Sequence, residues 1–401
     1  MTTNTLSVID YVAREALRVA HEEAKFLKTI DRSYDDQFAK TGAKIGSALR
    51  VRNPNEFSRR QGSRIMDVQD ITETTQTITV ATQDGIDIRF NSAEMALALD
   101  DLSRRYIEPA VKTLISGIEA DVLADCTKQV SSLVGTAGTV PGAGGDTSMI
   151  GQARARLNQF LAPSNDRFIQ IDSDTMASIV NGNKSIFHDG SQVKEAFREG
   201  AYTRGAGFDW YENERIYVHT NGADHTSVTI NDAGIASEDA SITLAGGDFT
   251  KGSVCTFGTT SDSGVYAVHP QTKVAYSFLR QFSASADGTT TFTPYVPYIS
   301  TGVRQNVSRL PVTSKTVTFF GSASTSYKNA LAYQKEFASF VTADLPIMDD
   351  AAKCVRRVQD GLSLRVWQAS DIRNDEMLLR IDILYGSKVL RPDWACRINC
   401  T

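Results

Sequence analysis

Apolar residues recur along the chain with two periods, and the changes of period divide it. Leu6, Ile9, Val12, Ala16, Ala20 and Leu27 fall near a spacing of 3.6, with Glu15, Arg18, Glu22 and Glu23 on other faces. That pattern predicts a helix over 5–30 with one apolar stripe, which needs a surface to cover. The next stretch, RSYDDQFAKTGAKIGSALRVRNPNEFSRRQGSRIMDVQD, is polar and interrupted by glycine. It leads into TQTITVATQDGIDIRF, whose alternation about Asp84-Gly85 predicts a β-ribbon. A two-stranded arm is not stable alone in water, so it must lie on something.

Helical spacing returns beyond residue 90. Asn91 and Glu94 fit a capping box. MALALDDLSRRYIE runs to Pro109, which predicts an end or kink near Glu108. Val111, Leu114, Ile115, Ile118, Val122, Cys126, Val130 and Leu133 continue the stripe as far as the loop GTAGTVPGAGGDTS at 135–148. A kinked rod of about 40 residues would span about 60 Å. MIGQARARLNQFL (149–161) predicts a further amphipathic helix, and DRFIQIDSDTMASIV a strand followed by a helix. FREGAYTRGAGFDWYENERIYVHT reads as sheet with turns.

From residue 222 to Pro311 the composition shifts to Thr, Ser and turn residues between short apolar runs, the pattern of a small β-barrel or sandwich. Mixed character then resumes through NALAYQKEFASFVTADLPI and LSLRVWQAS. The chain comes to LLRIDILYGSKVLRPDWACRI, two apolar runs parted by Gly386 and an Arg-Pro step. Chain ends commonly fray; this patterning predicts one tied into a sheet.

A length of 401 residues suits two or three domains. The net charge of −5 argues against a dedicated nucleic-acid binder, though not against a protein that encloses nucleic acid. No basic segment followed by an apolar run opens the chain, so no signal peptide is expected. No apolar run approaches the ~18 residues of a membrane span. The five cysteines are scattered and odd in number, which predicts free thiols in a reducing compartment. Cys396 and Cys400 form a lone C-x3-C without a second ligand pair.

Charge is sorted along the arm. Arg50, Arg52, Arg59, Arg60 and Arg64 stand among a single acid, Glu56; Asp67, Asp70, Glu73, Asp84 and Asp87 follow with no base until Arg89. The arginines could form a nucleic-acid patch. Segregated charge equally sets register against a protein partner. Arg50, Arg52, Arg59, Arg60, Arg64, Asp67, Asp70 and Glu73 are therefore candidate inter-subunit contacts.

No catalytic constellation stands out. PGAGGDTS lacks the G-K-[ST] of a phosphate loop, and there is neither a G-x-S-x-G elbow nor an H-E-x-x-H. The five histidines are isolated from one another. Asp100-Asp101 and Asp349-Asp350 stand beside predicted helix starts, where acids offset the helix dipole. No cofactor or metal is expected. A chain with arms and rods and no catalytic site is expected to work by assembling.

Three stretches carry a resemblance. GVYAVHPQTKVAYSFLRQF (264–282), with ITLAGGDFTKGSVCTF (242–257) before it, is similar to the inserted domain of the P22-type coat proteins. LAYQKEFASFVTADLPI (331–347) is similar to that family's central domain, and the closing stretch to its ending of strand, Tyr-Gly and Arg-Pro. The order of elements resembles the HK97-like fold of tailed-phage major capsid proteins over nearly the whole chain.

The resemblance implies an α+β fold of the HK97-like kind with an inserted small β-barrel. It implies an N-terminal arm helix (1–30), an extended β-arm (31–90), a peripheral domain with the spine helix (91–148) and a central domain (149–221 and 312–377). The inserted barrel (222–311) and closing strands (378–401) complete it. The implied function is a major capsid protein, not an enzyme, forming hexamers and pentamers of an icosahedral head, with T=7 as the default. The implied partners are further copies of itself, a scaffolding protein, a portal protein, an optional decoration protein and enclosed double-stranded DNA bound without sequence preference. No membrane partner is implied. The implied location is the virion, after assembly in the host cytoplasm and expansion of a procapsid. An encapsulin-like shell is the nearest alternative. A β-rich tail or adhesin protein is an alternative of another class, which would show a repeated β-pattern; none is visible.

Overall fold

The computed structural model describes residues 8–33, 48–57, 59, 62, 73–91, 106–143, 147–183, 204–347, 353–359, 362–371, 373–374 and 376–401. The chain divides into two compact units. The first comprises Met1–Val51, Thr75–Val122 and Ala338–Lys388. At its centre is the long strand Glu376–Val389, flanked by Ala338–Ala343, Leu362–Asp371 and Thr82–Asn91, with Lys353–Gln359 outermost beyond Leu362–Asp371. Leu379, Ile381 and Ile383 point to one face with Leu364 and Val366, and all five are buried. This is the alternation read in the sequence. Gly386 does not end the strand. A Cβ there would collide with the Thr79 carbonyl, so the position admits only glycine while the strand runs on.

The expected hairpin about Asp84-Gly85 is not formed. Thr75–Thr79 pairs with Ala48–Arg52, and Thr82–Asn91 pairs with Glu376–Val389 from Tyr385↔Thr82 to Glu376↔Asn91. Gly85 lies in mid-strand opposite Asp382, where a Cβ would strike the carboxylate and the Ile381 carbonyl. Its glycine marks a close approach, which sequence alone does not separate from a turn. Asn91 is the last residue of this strand; the expected capping box with Glu94 falls on residues outside those described.

Helix α1 runs Val8–Glu23 and buries Val12, Ala13, Ala16, Leu17, Val19 and Ala20. It stops well short of residue 30, although Phe26, Leu27 and Ile30 are also buried. The chain leaves the helix because the Lys25 and Phe26 amides donate to the Glu119 carboxylate, at 2.9 and 2.8 Å. It then meets the strand Ala338–Ala343, with Asp31 N–H donating to the Ala338 carbonyl and Phe340 N–H to that of Asp31. Helix α2 runs Glu108–Gln129, with Pro109 in its first turn, where a missing N–H costs nothing. Residues 106–107, directly before it, form a π-helical turn, and the upstream part of the expected rod (92–105) lies outside the described residues.

The second unit comprises Arg52–Thr74, Leu123–Phe337 and Val389–Thr401. Its main sheet places Ser326–Gln334 between Ala395–Asn399 and Arg167–Ile171, with Phe208–Glu212 parallel to the latter. Helices α3 (Ser148–Gln159) and α4 (Ser173–Asn183) share a core with this sheet, including Leu157, Ile169, Met176, Trp210, Ala332 and Ile398. Cys396 and Cys400 belong to the same core. The Arg-Pro step is a tether: Leu390 and Arg391 N–H donate to the Phe337 carbonyl, and the Arg391 guanidinium stacks 4.0 Å from the Trp394 ring centroid.

Within this unit, Val228, Phe249, Phe257, Phe282, Phe292, Tyr298, Val317 and Phe319 belong to a separate aromatic core. Around it lie two three-stranded sheets and a hairpin. No closed sheet is present among the described residues, so the expected barrel is not seen as such. The edges of the three-stranded sheets meet through isolated bridges, Thr229–Thr316 and Ala284–Pro294. The strands are short, and Ser227, Glu238, Ser263 and Lys273 between them have positive φ.

Candidate assembly interface

The two-stranded ribbon of Ala48–Arg52 and Thr75–Thr79 carries Arg50 and Arg52 of the charged residues singled out from the sequence. Ala48–Arg52 and Thr75–Thr79 bury Val51 and Ile78 on one side, leave Leu49 and Gln76 half-buried and expose the rest. Arg50 and Arg52 project on the exposed side. Arg52 Nη1 lies 3.6 Å from Glu73 Oε2, with the two side chains 77% and 54% exposed. Asn53 N–H donates to the Thr74 carbonyl at 2.9 Å and continues the pairing. A pair this exposed contributes under about 1 kcal/mol.

Of the candidate set, among the described residues, only Arg52 and Glu73 are joined. Arg50 and Arg59 are exposed and make no ion pair among the described residues. Arg60, Arg64, Asp67 and Asp70 lie outside the described residues. Glu56 lies 3.7 Å from Lys273 Nζ. Phe57 beside it is 63% exposed, an aromatic ring left in solvent.

A second surface was not legible in the sequence. On the outer face of the five-stranded sheet, register places Asp87, Arg380 and Trp367 in one row and Arg89, Leu378 and Ala369 in the next. Arg380 pairs with Asp87 at 3.0 Å and Arg89 with Glu376 at 3.3 Å. Between the ion pairs lies a pocket of about 360 Å³ lined by Trp367, Ala369 and Leu378. The Trp367 indole N–H is buried and has no hydrogen-bond acceptor.

The polar groups of the second unit serve packing. Arg397 is fully buried on Ala395–Asn399 and donates to the carbonyls of Lys128 and Gly252, each at 2.7 Å, and to Ser283 Oγ at 2.9 Å. It caps the end of α2 and binds it to the aromatic module. Burial pulls its pKa to about 10, still cationic at neutral pH. His219 lies between Tyr217 OH and Ser253 Oγ, both at 3.1 Å. Burial pushes it down to about 3, with Arg397, His225 and Lys128 adding repulsion, so it is neutral. Burial also raises Cys126, Cys255, Cys396 and Cys400, the last two to about 12. Neither a thiolate nor a general base is poised among these groups. Among the described residues no group of three His, Cys, Asp or Glu side chains could hold a metal, and no helix is long and apolar enough to cross a membrane.

Residues 1–396 match the family model described as "P22 coat protein - gene protein 5". Among solved structures, a chain from Mycobacterium phage Che8 is similar over 93% of this chain and 90% of its own, at 12% identity and a TM-score of 0.52. The capsid of the cyanophage P-SCSP1u matches over 89% and 84%, at 12% identity and a TM-score of 0.47. An encapsulin complex from Synechococcus elongatus matches over 88% and 82%, at 8% identity and a TM-score of 0.40. No curated protein matches the sequence. The fold is the mixed α+β, HK97-like capsid fold.

Proposed function

The chain belongs to the P22 coat protein family and is a phage major capsid protein, a shell-forming component of the virion; from that premise we propose how it assembles. Its copies form the hexamers and pentamers of an icosahedral T=7 head. A scaffolding protein guides them into a procapsid in the host cytoplasm, and the shell expands around double-stranded DNA. A portal protein occupies one vertex, and a decoration protein is an optional further partner. Residues 31–90 act as the arm, 91–148 as the peripheral domain, and 149–221 with 312–377 as the central domain. Residues 222–311 form the insertion, and 378–401 close the framework.

The family match over 1–396 carries this reading. The exposed ribbon supports its assembly part, since Arg50 and Arg59 present charge with no partner in their own chain among the described residues. Many identical weak contacts give a shell its collective stability. The net charge of −5 suits a wall that holds DNA without gripping it. Charge reversal at the exposed arm positions, Arg50→Glu with Arg59→Glu, tests the assignment. The subunit is expected to stay folded by circular dichroism while shell yield collapses. Normal shells from the double variant would remove the arm from the assembly contacts.

A further inference from the structure

The hairpin of Tyr266–Val268 and Ala275–Leu279 turns through residues 269–274. His269 opens the turn, and four hydrogen bonds converge on it. Its backbone N–H donates to the Val274 carbonyl at 2.9 Å, and its carbonyl accepts from the Lys273 N–H at 3.0 Å. Its ring makes the other two: Nδ1 accepts the backbone N–H groups of Gln271 and Thr272, each at 3.1 Å. Asparagine and aspartate side chains hold turns in this way, by accepting amides a short distance along the chain. An asparagine oxygen accepts at every pH. An imidazole nitrogen accepts only while it carries no proton.

The turn holds Lys273 in the left-handed region, with φ 60°, a conformation that costs any residue with a Cβ. Placed there, Lys273 Nζ donates to the Gln305 carbonyl at 3.3 Å and lies 3.7 Å from Glu56 Oε2. The same turn carries Val274, which is 65% exposed. The amides bound by the ring therefore govern where both side chains stand. The titratable groups around His269 are Tyr276 on the returning strand, 6.0 Å away between ring centroids, Lys273 of the turn and Glu56 beyond it. On the loop that supplies Gln305, Arg304 pairs with Glu238 at 3.7 Å. Of these side-chain types, histidine is the one that changes charge between about pH 5 and 8.

We propose that His269 is a proton-operated catch on the tip of this hairpin. Neutral, with its proton on Nε2, the ring locks the turn 269–274. A proton taken from water onto Nδ1 makes the acceptor a donor that faces two donors, and the turn opens. Opening releases Lys273 from the left-handed region and from Gln305 and Glu56, and it moves Val274. The catch belongs to the single subunit and does not require assembly.

The test is hydrogen exchange of the segment 269–275 in the purified full chain, read by mass spectrometry at about pH 8 and about pH 5.5 and corrected for the intrinsic pH dependence of exchange. Wild-type protection is expected to fall about tenfold on acidification, the equivalent of one to two net hydrogen bonds. His269→Asn keeps an acceptor that does not titrate and is expected to stay protected under both conditions. His269→Ala is expected to be unprotected under both. Wild-type protection that survives acidification would overturn the proposal. So would a His269→Asn variant that still loses protection, which places the titrating group elsewhere, or one already unprotected at the higher pH. A His269→Ala variant as protected as the wild type at the higher pH would show that the ring does not hold the turn, and would overturn it equally.

Discussion

Glu119 of α2 takes the backbone amide of Phe26 at 2.8 Å and that of Lys25 at 2.9 Å, and the carboxylate is completely buried. One side chain thus ends the N-terminal helix and fixes the following segment, with buried Phe26 and Leu27, on α2. Carboxylates bonded to backbone N–H groups make strong, short hydrogen bonds. Replacing Glu119 with Ala leaves both amides buried without an acceptor. The expected loss is about 2–4 kcal/mol of subunit stability, read as a lower urea midpoint with an unchanged slope. Glu119→Gln keeps an acceptor and is expected to lose less. An unchanged midpoint for Glu119→Ala would contradict this role.

Arg397 joins three parts of the second unit through Lys128, Gly252 and Ser283. Methionine at 397 fills much of the volume but strands these acceptors. The expected cost is about 3 kcal/mol, seen as a lower melting temperature of the isolated subunit. Lysine is expected to rescue little, because an ammonium is a point donor and cannot reproduce the planar fork. Full rescue by Arg397→Lys would mean that charge alone matters there.

Gly85 and Gly386 tolerate no side chain, for a reason distinct from turn geometry. In both cases a Cβ would meet a backbone carbonyl of an adjacent segment. Alanine at either site is expected to lower stability by about 1–3 kcal/mol, the usual range for overpacking. Alanine at Gly234, where a Cβ meets nothing within 4 Å, is the matched control and is expected to be near neutral.

His219 gives the second unit a pH dependence. Burial holds it at about 3 in the folded chain, against 6.5 for an ordinary histidine. The unfolded chain therefore binds a proton first as pH falls. Its contribution to stability is full above about pH 6.5 and is lost between there and about pH 3, by up to about 1.4 kcal/mol per pH unit. The facing groups are Tyr217 and Ser253 by hydrogen bond, with Arg397, Lys128 and His225 acting by charge. Carboxylates also titrate in this range, so the comparison is wild type against His219→Gln. The variant is expected to show a shallower loss between pH 6.5 and 4. Parallel stability curves would show that His219 does not titrate as its burial requires.

Periodicity made the helices of 8–23, 108–129 and 148–159 and the terminal strands legible, because one buried face imposes its spacing on the sequence. The Thr- and Ser-rich stretch likewise showed short strands, although not how their edges meet. Glycine misled at Gly85: its residue type is the same whether it serves a turn or a close approach. The helix end at Glu23 was hidden because Glu119, distant in sequence, takes the amides that would continue it. The sorting of charge along 50–73 was legible, since local composition carries that signal. The pocket at Trp367 was not, because it needs the register of the strand Thr82–Asn91 against the distant pair Leu362–Asp371 and Glu376–Val389. Arg397 was equally silent, an arginine in an apolar strand whose partners lie in three other segments.

The most direct test of the central claim is sedimentation velocity of the purified full chain, alone and with the scaffolding protein proposed for it, with electron microscopy of any fast fraction. Closed polyhedral particles tens of nanometres across are expected, at least in the presence of scaffold. A chain that stays a discrete dimer or trimer under both conditions, and gives no closed particles, would contradict the account.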